Sequence, residues 1–189
     1  AFARAFPNDA NPVSLANAQK AIALFEATLI TPNAPFDKYL RGDATALNVT
    51  QKAGLSLFMD KGCSTCHSGV NLGGTMYAKF GQIEAPDAKY LPVGDKGRGG
   101  ITGNAADDYF FKVPTLRNIA LTAPYFHTGS EGDLAKAVDV MARTQLGLTL
   151  SKAETDQLVA FLGTLTGDQP QIAAPQLPAS DAKSPPPAP

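Results

Sequence analysis

One stretch constrains this chain more than any other: Cys63-Ser64-Thr65-Cys66-His67. Two thiols three residues apart on one helical turn can each bond a vinyl group on one edge of a porphyrin. The adjacent His67 can then point its imidazole at the iron from one face. The run reads as a covalent attachment site for a c-type haem, with Cys63 and Cys66 as thioether residues and His67 as the first axial ligand. The rest of the chain is expected to be its housing.

Three other readings of the same residues fare worse. A zinc site needs four ligands, and the chain offers only Cys63, Cys66, His67 and the distant His127 as sulfur or imidazole donors. A thioredoxin-like pair would follow a strand in a βαβ pattern, and no such strand precedes Cys63. A disulfide between Cys63 and Cys66 would close too small a loop to stabilise much.

At 189 residues the chain has room for one domain with a core and some appendages. A formal net charge of -1 without a basic run leaves no electrostatic footprint for nucleic acid or an anionic membrane. No apolar run approaches the ~20 residues that span a bilayer, and no charged-then-apolar leader opens the chain. The expectation is a soluble protein, either mature or cut from something larger. Thioether haems are generally assembled outside the bacterial cytoplasm, so the periplasm is the expected compartment.

Read in order, Ala1 to Asn11 is a loop carrying Phe2 and Phe6. From Ser14, a capping residue, Leu15, Ala18, Ile22, Phe25 and Leu29 recur at helical steps and predict a helix with one buried stripe, stopped by Thr31-Pro32. Asn33 to Asp43 is a turn-rich connection. Asn48 and Gln51 form a capping box for a helix that carries Leu55, Leu57 and Phe58 and runs into Gly62 and Cys63.

Between Ser68 and Val113 periodicity disappears and glycines are dense. So long an irregular stretch either wraps something, here the porphyrin, or is a mobile surface excursion. Lys112 to Gly129 is a shaped loop with two prolines, Tyr125, Phe126 and His127. Asp133 caps a helix with the stripe Leu134, Ala137, Val138 and Met141. Ser151 and Glu154 box the start of a last helix that buries Leu158, Phe161, Leu162 and Leu165 and ends at Gly167. The Pro-rich tail that follows is expected to be disordered or laid along a partner. No strand pattern of useful length is visible, so the expected fold class is all-α with long irregular Gly-rich loops.

What fills the sixth position of the iron separates electron transfer from small-molecule chemistry. Met59 precedes Cys63 on the same helix, lies on the His67 side and reads as core. Met76 would have to wrap the haem edge within a short span. Met141 lies on the apolar stripe of a separate helix with chain enough to reach the far face, although buried methionines are commonly gap-fillers. Met141 is favoured over Met76 and His127, and His127 reads as a propionate or second-layer partner.

Three runs carry a family likeness: Gly62-Cys-x-x-Cys-His-Ser-Gly-Val-Asn-Leu-Gly-Gly74, Val113-Pro-Thr-Leu-Arg-Asn-Ile-Ala-Leu-Thr-Ala-Pro-Tyr-Phe-His-Thr-Gly129, and Ala137-Val-Asp-Val-Met141 through Gln145-Leu-Gly147. Together they resemble the C-terminal half of bacterial di-haem cytochrome c peroxidases, and Thr28 to Phe36 resembles the segment joining that family's two domains. The resemblance implies a cytochrome c-like domain over residues 31-168. Residues 1-30 would be the last helix of a missing N-terminal peroxidatic domain, and residues 169-189 a tail that packs back on it.

The resemblance further implies a high-potential haem with His67 and Met141 as axial pair, fed by a small donor cytochrome c or cupredoxin and passing electrons to the peroxidatic haem. It implies calcium at the domain interface, bound in part by the backbone carbonyls of Thr122 and Pro124. A homodimer is left open. The departure is large, because the family's second C-x-x-C-H, distal histidine and catalytic glutamate region are not in this sequence. The chain alone is therefore expected not to turn over peroxide. The competing function is a stand-alone single-haem electron-transfer cytochrome.

Overall fold

The computed structural model describes residues 1–173, Gln176 and Ala179, and divides the chain into two compact units. One comprises Ala1–Ile30 with the described residues from Gln169 on; the other is Thr31–Asp168. Most of the expectation for the Pro-rich tail thus lies outside the described residues.

In the first unit a short helix, α1 (Phe2–Ala5), replaces the expected loop, and the Phe2 and Phe6 rings stack at 5.8 Å. Helix α2 (Leu15–Glu26) begins where the sequence predicts, with the Ser14 hydroxyl oxygen accepting from the Asn17 N–H at 3.2 Å. Its apolar stripe is not buried: Leu15, Ile22 and Phe25 are exposed, as is Leu29 beyond its end. The buried residue of α2 is Asn17, whose amide donates to Asp9 at 2.7 Å and to the Pro12 carbonyl at 3.0 Å. A helical period shows that one face is apolar but does not supply the surface that would cover it.

The second unit is built on a pair of crossing helices. Between residues 33 and 43 the chain forms α3 (Pro35–Leu40), with proline at its first position and Asp37 accepting from the Ala34 N–H at 3.2 Å. Helix α4 (Val49–Asp60) starts on the Asn48/Gln51 box, whose two side-chain-to-backbone bonds both measure 2.9 Å. It packs on the last helix, α7 (Lys152–Gly163), which carries the matching Ser151/Glu154 box. Gly54 sits at the crossing, where a Cβ would run into the Gln157 carbonyl. Phe36, Leu47, Phe58, Leu72, Leu158, Phe161, Leu162 and Leu165 are the buried centre. Phe161 takes an edge-on contact from Phe36 at 5.3 Å and a tilted one from Phe58 at 5.2 Å.

The irregular stretch overturns the all-α expectation. Strand β1 (Tyr77–Lys79) pairs antiparallel with β2 (Phe110–Lys112), placing Tyr77 opposite Lys112 and Ala78 opposite Phe111. A short helix, α5 (Arg98–Thr102), lies between them in sequence. The fold is therefore mixed helix and sheet with much irregular chain. Three-residue strands are too short to display a period of two, so pairing of distant segments decides them. Helix α6 (Leu134–Leu146) completes the unit, capped by Asp133 at the Ala135 N–H, 2.8 Å, and closed by Gly147 at φ 65°.

Candidate functional site

The end of α4 delivers the Cys63–His67 turn. Gly62, at φ 91°, reverses the chain, and its N–H donates to the Met59 carbonyl at 3.0 Å. A 3₁₀ turn over Cys63–Thr65 follows, and the N–H groups of Cys66 and His67 return to the Cys63 carbonyl at 3.3 and 3.0 Å. Both thiols and the imidazole thus stand on one tight turn.

Cys63 and Cys66 are free and half-buried, and Cys63 packs against the core beside α4. Burial pushes the Cys63 thiol up, and the neighbouring Cys66 adds to this. A redox-active pair depends on a thiolate favoured by its surroundings, so this environment does not fit that chemistry.

His67 carries the most telling atom of the turn. Among the described residues its Nδ1 is buried and lacks a hydrogen-bond partner. Burial pushes the imidazole below its ordinary value, leaving it neutral near pH 7. The carbonyls of Leu72 and Pro114 lie close enough to counter that shift in part, yet neither meets Nδ1 in hydrogen-bond geometry. A neutral imidazole with two carbonyls beside it fits a metal ligand: one nitrogen can find a backbone acceptor while the other stays free to ligate.

Those carbonyls come from two stretches that lie against each other. The Gly74 N–H donates to Val113 at 2.7 Å, Val113 donates to Met76 at 2.9 Å, and the Thr115 hydroxyl donates to the Asn71 carbonyl at 2.6 Å. Gly73, at φ 133°, leaves no room for a Cβ against the Pro114 carbonyl. The chain after His67 and the Val113–Asn118 run therefore form one wall beside the imidazole.

Helix α6 connects this wall to a second apolar cluster. Leu134 and Val138 pack on the core that includes Cys63, while Met141 packs on Phe80, Tyr90 and Val140. Leu91, Phe111 and Phe126 complete that cluster, with Phe80 stacked on Phe126 at 5.7 Å. Met141 is half-buried, whereas Met59 is 52% and Met76 40% exposed.

His127 lies on the surface, its ring stacked on Phe111 at 4.4 Å and its Nε2 2.7 Å from the Asp95 carboxylate. Asp95 is held below the usual carboxylate range, first by the Gly97 N–H and then by His127. Thr122 and Pro124 are exposed on the loop after a 3₁₀ turn at Ile119–Leu121, where the Thr122 hydroxyl donates to the Ile119 carbonyl at 3.3 Å. Among the described residues no group of three or more His, Cys, Asp and Glu stands ready for a metal.

Two residues went unnoticed in the sequence. Glu131, 6% exposed, accepts a hydrogen bond from the Tyr90 hydroxyl at 2.8 Å, and Tyr90 is itself 4% exposed. They are 41 residues apart, and no local pattern connects them. A hollow of about 380 Å³ opens beside the pair, and another of about 480 Å³ lies by Tyr77, Arg98 and Ile101. Neither borders the Cys63–His67 turn.

Comparison with known proteins now adds to this geometry. The family model described as di-haem cytochrome c peroxidase matches residues 1–45. The chain is 51% identical to the cytochrome c551 peroxidase of Pseudomonas aeruginosa, over 100% of this chain and 54% of that protein. It is 46% identical to the cytochrome c551 peroxidase of Nitrosomonas europaea, over 97% of this chain and 54% of that protein. The crystal structure of a MauG-like protein associated with microbial copper homeostasis superposes with a TM-score of 0.71 at 30% identity, covering 88% of this chain and 57% of that one. The chain is thus a homologue of cytochrome c peroxidases and MauG-like proteins, and spans about half the length of the curated relatives it matches.

Proposed function

We propose that this chain is the electron-entry half of a periplasmic di-haem cytochrome c peroxidase, a protein that as a whole reduces hydrogen peroxide to water. The carrying observation is the neutral His67, with its buried, unpartnered Nδ1, on one turn with two free cysteines. Similarity to the cytochrome c551 peroxidases, over 54% of their length, supports the same reading.

In this reading Cys63 and Cys66 would form the thioethers, and His67 and Met141 would hold the iron. A c-type haem held there supplies a one-electron carrier. Cys63 anchors the site to the core under α4, while α6 brings Met141 from the second cluster. The Leu72 and Pro114 carbonyls flank His67, and His127 stands by as a propionate or outer partner. A small donor cytochrome or cupredoxin would deliver electrons, and the peroxidatic haem domain would receive them.

Residues 31-168 are read as the electron-transfer domain, and residues 1-30 as a helix fitted to the peroxidatic one. The exposed stripe of Leu15, Ile22, Phe25 and Leu29 supports this over a stand-alone single-haem cytochrome, which would have reason to cover those side chains. Calcium at the Thr122 and Pro124 carbonyls belongs to the same reading. Among the described residues no group of three or more His, Cys, Asp and Glu stands with those carbonyls.

The test is the chain produced in a host that attaches c-type haem. One covalent haem, low-spin and with a thioether ligand, is expected. Met141→His should keep the haem and lower its potential, because a thioether favours reduced iron more than imidazole does. Unchanged spectra and potential in that variant overturn the axial assignment, and a chain without covalent haem overturns the whole reading. Two haems on the intact parent polypeptide decide for the peroxidase over the stand-alone cytochrome.

A further inference from the structure

We propose that Tyr90 and Glu131 are positioning residues for Met141: a buried latch that holds α6 and the cluster around Met141 at the depth where the thioether can ligate. The proposal rests on Met141 being the second axial residue.

A carboxylate as buried as that of Glu131, 6% exposed, needs partners to replace the water it has lost. Each oxygen is occupied. Oε2 accepts the Tyr90 hydroxyl at 2.8 Å and lies 3.6 Å from Lys89 Nζ, and Oε1 accepts the Asp133 N–H at 3.1 Å. The backbone carbonyl of Glu131 also takes the Tyr125 N–H at 2.6 Å. Glu131 therefore pins the loop from Tyr125 to Asp133 from both its side chain and its main chain.

Both ends of the latch lead to Met141. Asp133, held by Oε1, is the N-cap of α6, and its own carboxylate grips the Ala135 N–H at 2.8 Å. The start of the helix that carries Met141 is thereby fixed. Tyr90, held by Oε2, places its ring 4.7 Å from Phe126 in the cluster on which Met141 packs. Lys89 closes the outer side, with Nζ 4.5 Å from the centre of the Tyr90 ring. One carboxylate thus ties the backbone position of α6 to the side-chain wall around Met141. Functional groups lose effect when their supporting residues leave them even about 1 Å loose.

The experiment uses the haem-loaded chain with Tyr90→Phe, Glu131→Gln, Glu131→Ala and Met141→Leu. The readouts are the thioether-to-ferric-iron charge-transfer absorption, the reduction potential, the affinity for added imidazole, and the urea unfolding midpoint. Tyr90→Phe keeps the ring and loses the hydroxyl, so the cluster should stay packed while the latch opens. The expected result is a weakened charge-transfer band and imidazole affinity raised about 10-fold or more in Tyr90→Phe and Glu131→Ala, with Glu131→Gln nearer the parent because it keeps an acceptor oxygen. If both opened variants keep the parent's band and imidazole affinity while only the urea midpoint falls, the residues are merely structural and the proposal is overturned. If Met141→Leu leaves the band unchanged, the axial assignment itself falls and takes the latch with it. A band lost in Met141→Leu but retained in Tyr90→Phe and Glu131→Ala sinks the latch alone.

Discussion

The guanidinium of Arg117 meets the carboxylate of Asp37 through two hydrogen bonds, Nη1 to Oδ2 at 3.0 Å and Nη2 to Oδ1 at 2.8 Å. The same guanidinium donates from Nε to the Val70 carbonyl at 2.8 Å, and Asp37 Oδ2 also takes the Ala34 N–H at 3.2 Å. Two side chains thereby join three segments: the start of α3, the chain just after His67, and the Val113–Asn118 run. The forked, bidentate geometry belongs to arginine and is not available to lysine.

Each member of that pair is 17% exposed, so breaking it should approach the cost of breaking a buried pair. Arg117→Ala is expected to lower unfolding stability by about 3 kcal/mol. Asp37→Ala should do much the same, and the double variant should lie close to the worse single one rather than at their sum. Urea unfolding of the three variants measures this; additive losses would show that the two residues do not act together.

At Gly54, helix propensity and packing make opposite forecasts. Alanine gains up to about 1 kcal/mol over glycine within a helix. Its Cβ, however, would collide with the Gln157 carbonyl and come within 2.8 Å of Phe161 Cβ, where α4 crosses α7. Backbone cannot rotate away as a side-chain tip can, so the overpacking cost of about 1–3 kcal/mol should win. Gly54→Ala is expected to lower the thermal midpoint, and a raised midpoint would mean that the helices separate easily.

Glu154 links the start of α7 to the end of α4 through its ion pair with Lys61 at 2.8 Å. Lys61 first, then the N–H and hydroxyl of Ser151, hold its carboxyl down to about 2, against an ordinary 4.5. A depressed carboxyl contributes stability that is present above its ordinary value and lost as pH falls toward the folded one. The urea midpoint should therefore decline as pH is lowered from about 5 to about 2. Glu154→Gln should remove part of that decline while changing little at neutral pH beyond the loss of the pair. An unchanged slope in Glu154→Gln would show that other carboxyls carry the acid sensitivity.

The buried Nδ1 of His67 should make the haem-free chain less stable than it could be. A buried nitrogen without a partner costs about 1–3 kcal/mol. In the haem-free chain His67→Leu is expected to raise the urea midpoint, corresponding to about 1 kcal/mol or more. On the proposed function, the same variant should still attach haem but show a high-spin or exogenously ligated spectrum, since it lacks the His67 imidazole. A haem-free His67→Leu chain that is less stable than the parent would show that the imidazole finds a partner in solution.

Much of the local structure could be read from the amino acids because its causes are close in sequence. The caps at Ser14, Asn48, Asp133 and Ser151 join residues two or three positions apart, and all four form as the residues predict. The stripe Leu158, Phe161, Leu162 and Leu165 is buried as its spacing implies. The tight turn of Cys63, Cys66 and His67 follows from five consecutive residues, since their own backbone bonds close it.

What distance in sequence hides, the tertiary structure decided. The strands Tyr77–Lys79 and Phe110–Lys112 have no period to betray them and exist because their backbones find each other, which is why an all-α reading failed. The stripe on α2 is apolar by period but exposed in fact, because burial needs a covering surface that no helical repeat encodes. Tyr90 and Glu131 meet across 41 residues, and Asp37 and Arg117 across 80. The amino-acid order determined the four capped helices α2, α4, α6 and α7 and the turn with its two thiols and imidazole, through interactions only a few bonds in reach. The wall beside His67, the surroundings of Met141 and the pairing of buried charges came from chain packing, since only there do side chains far apart in sequence share one desolvated space.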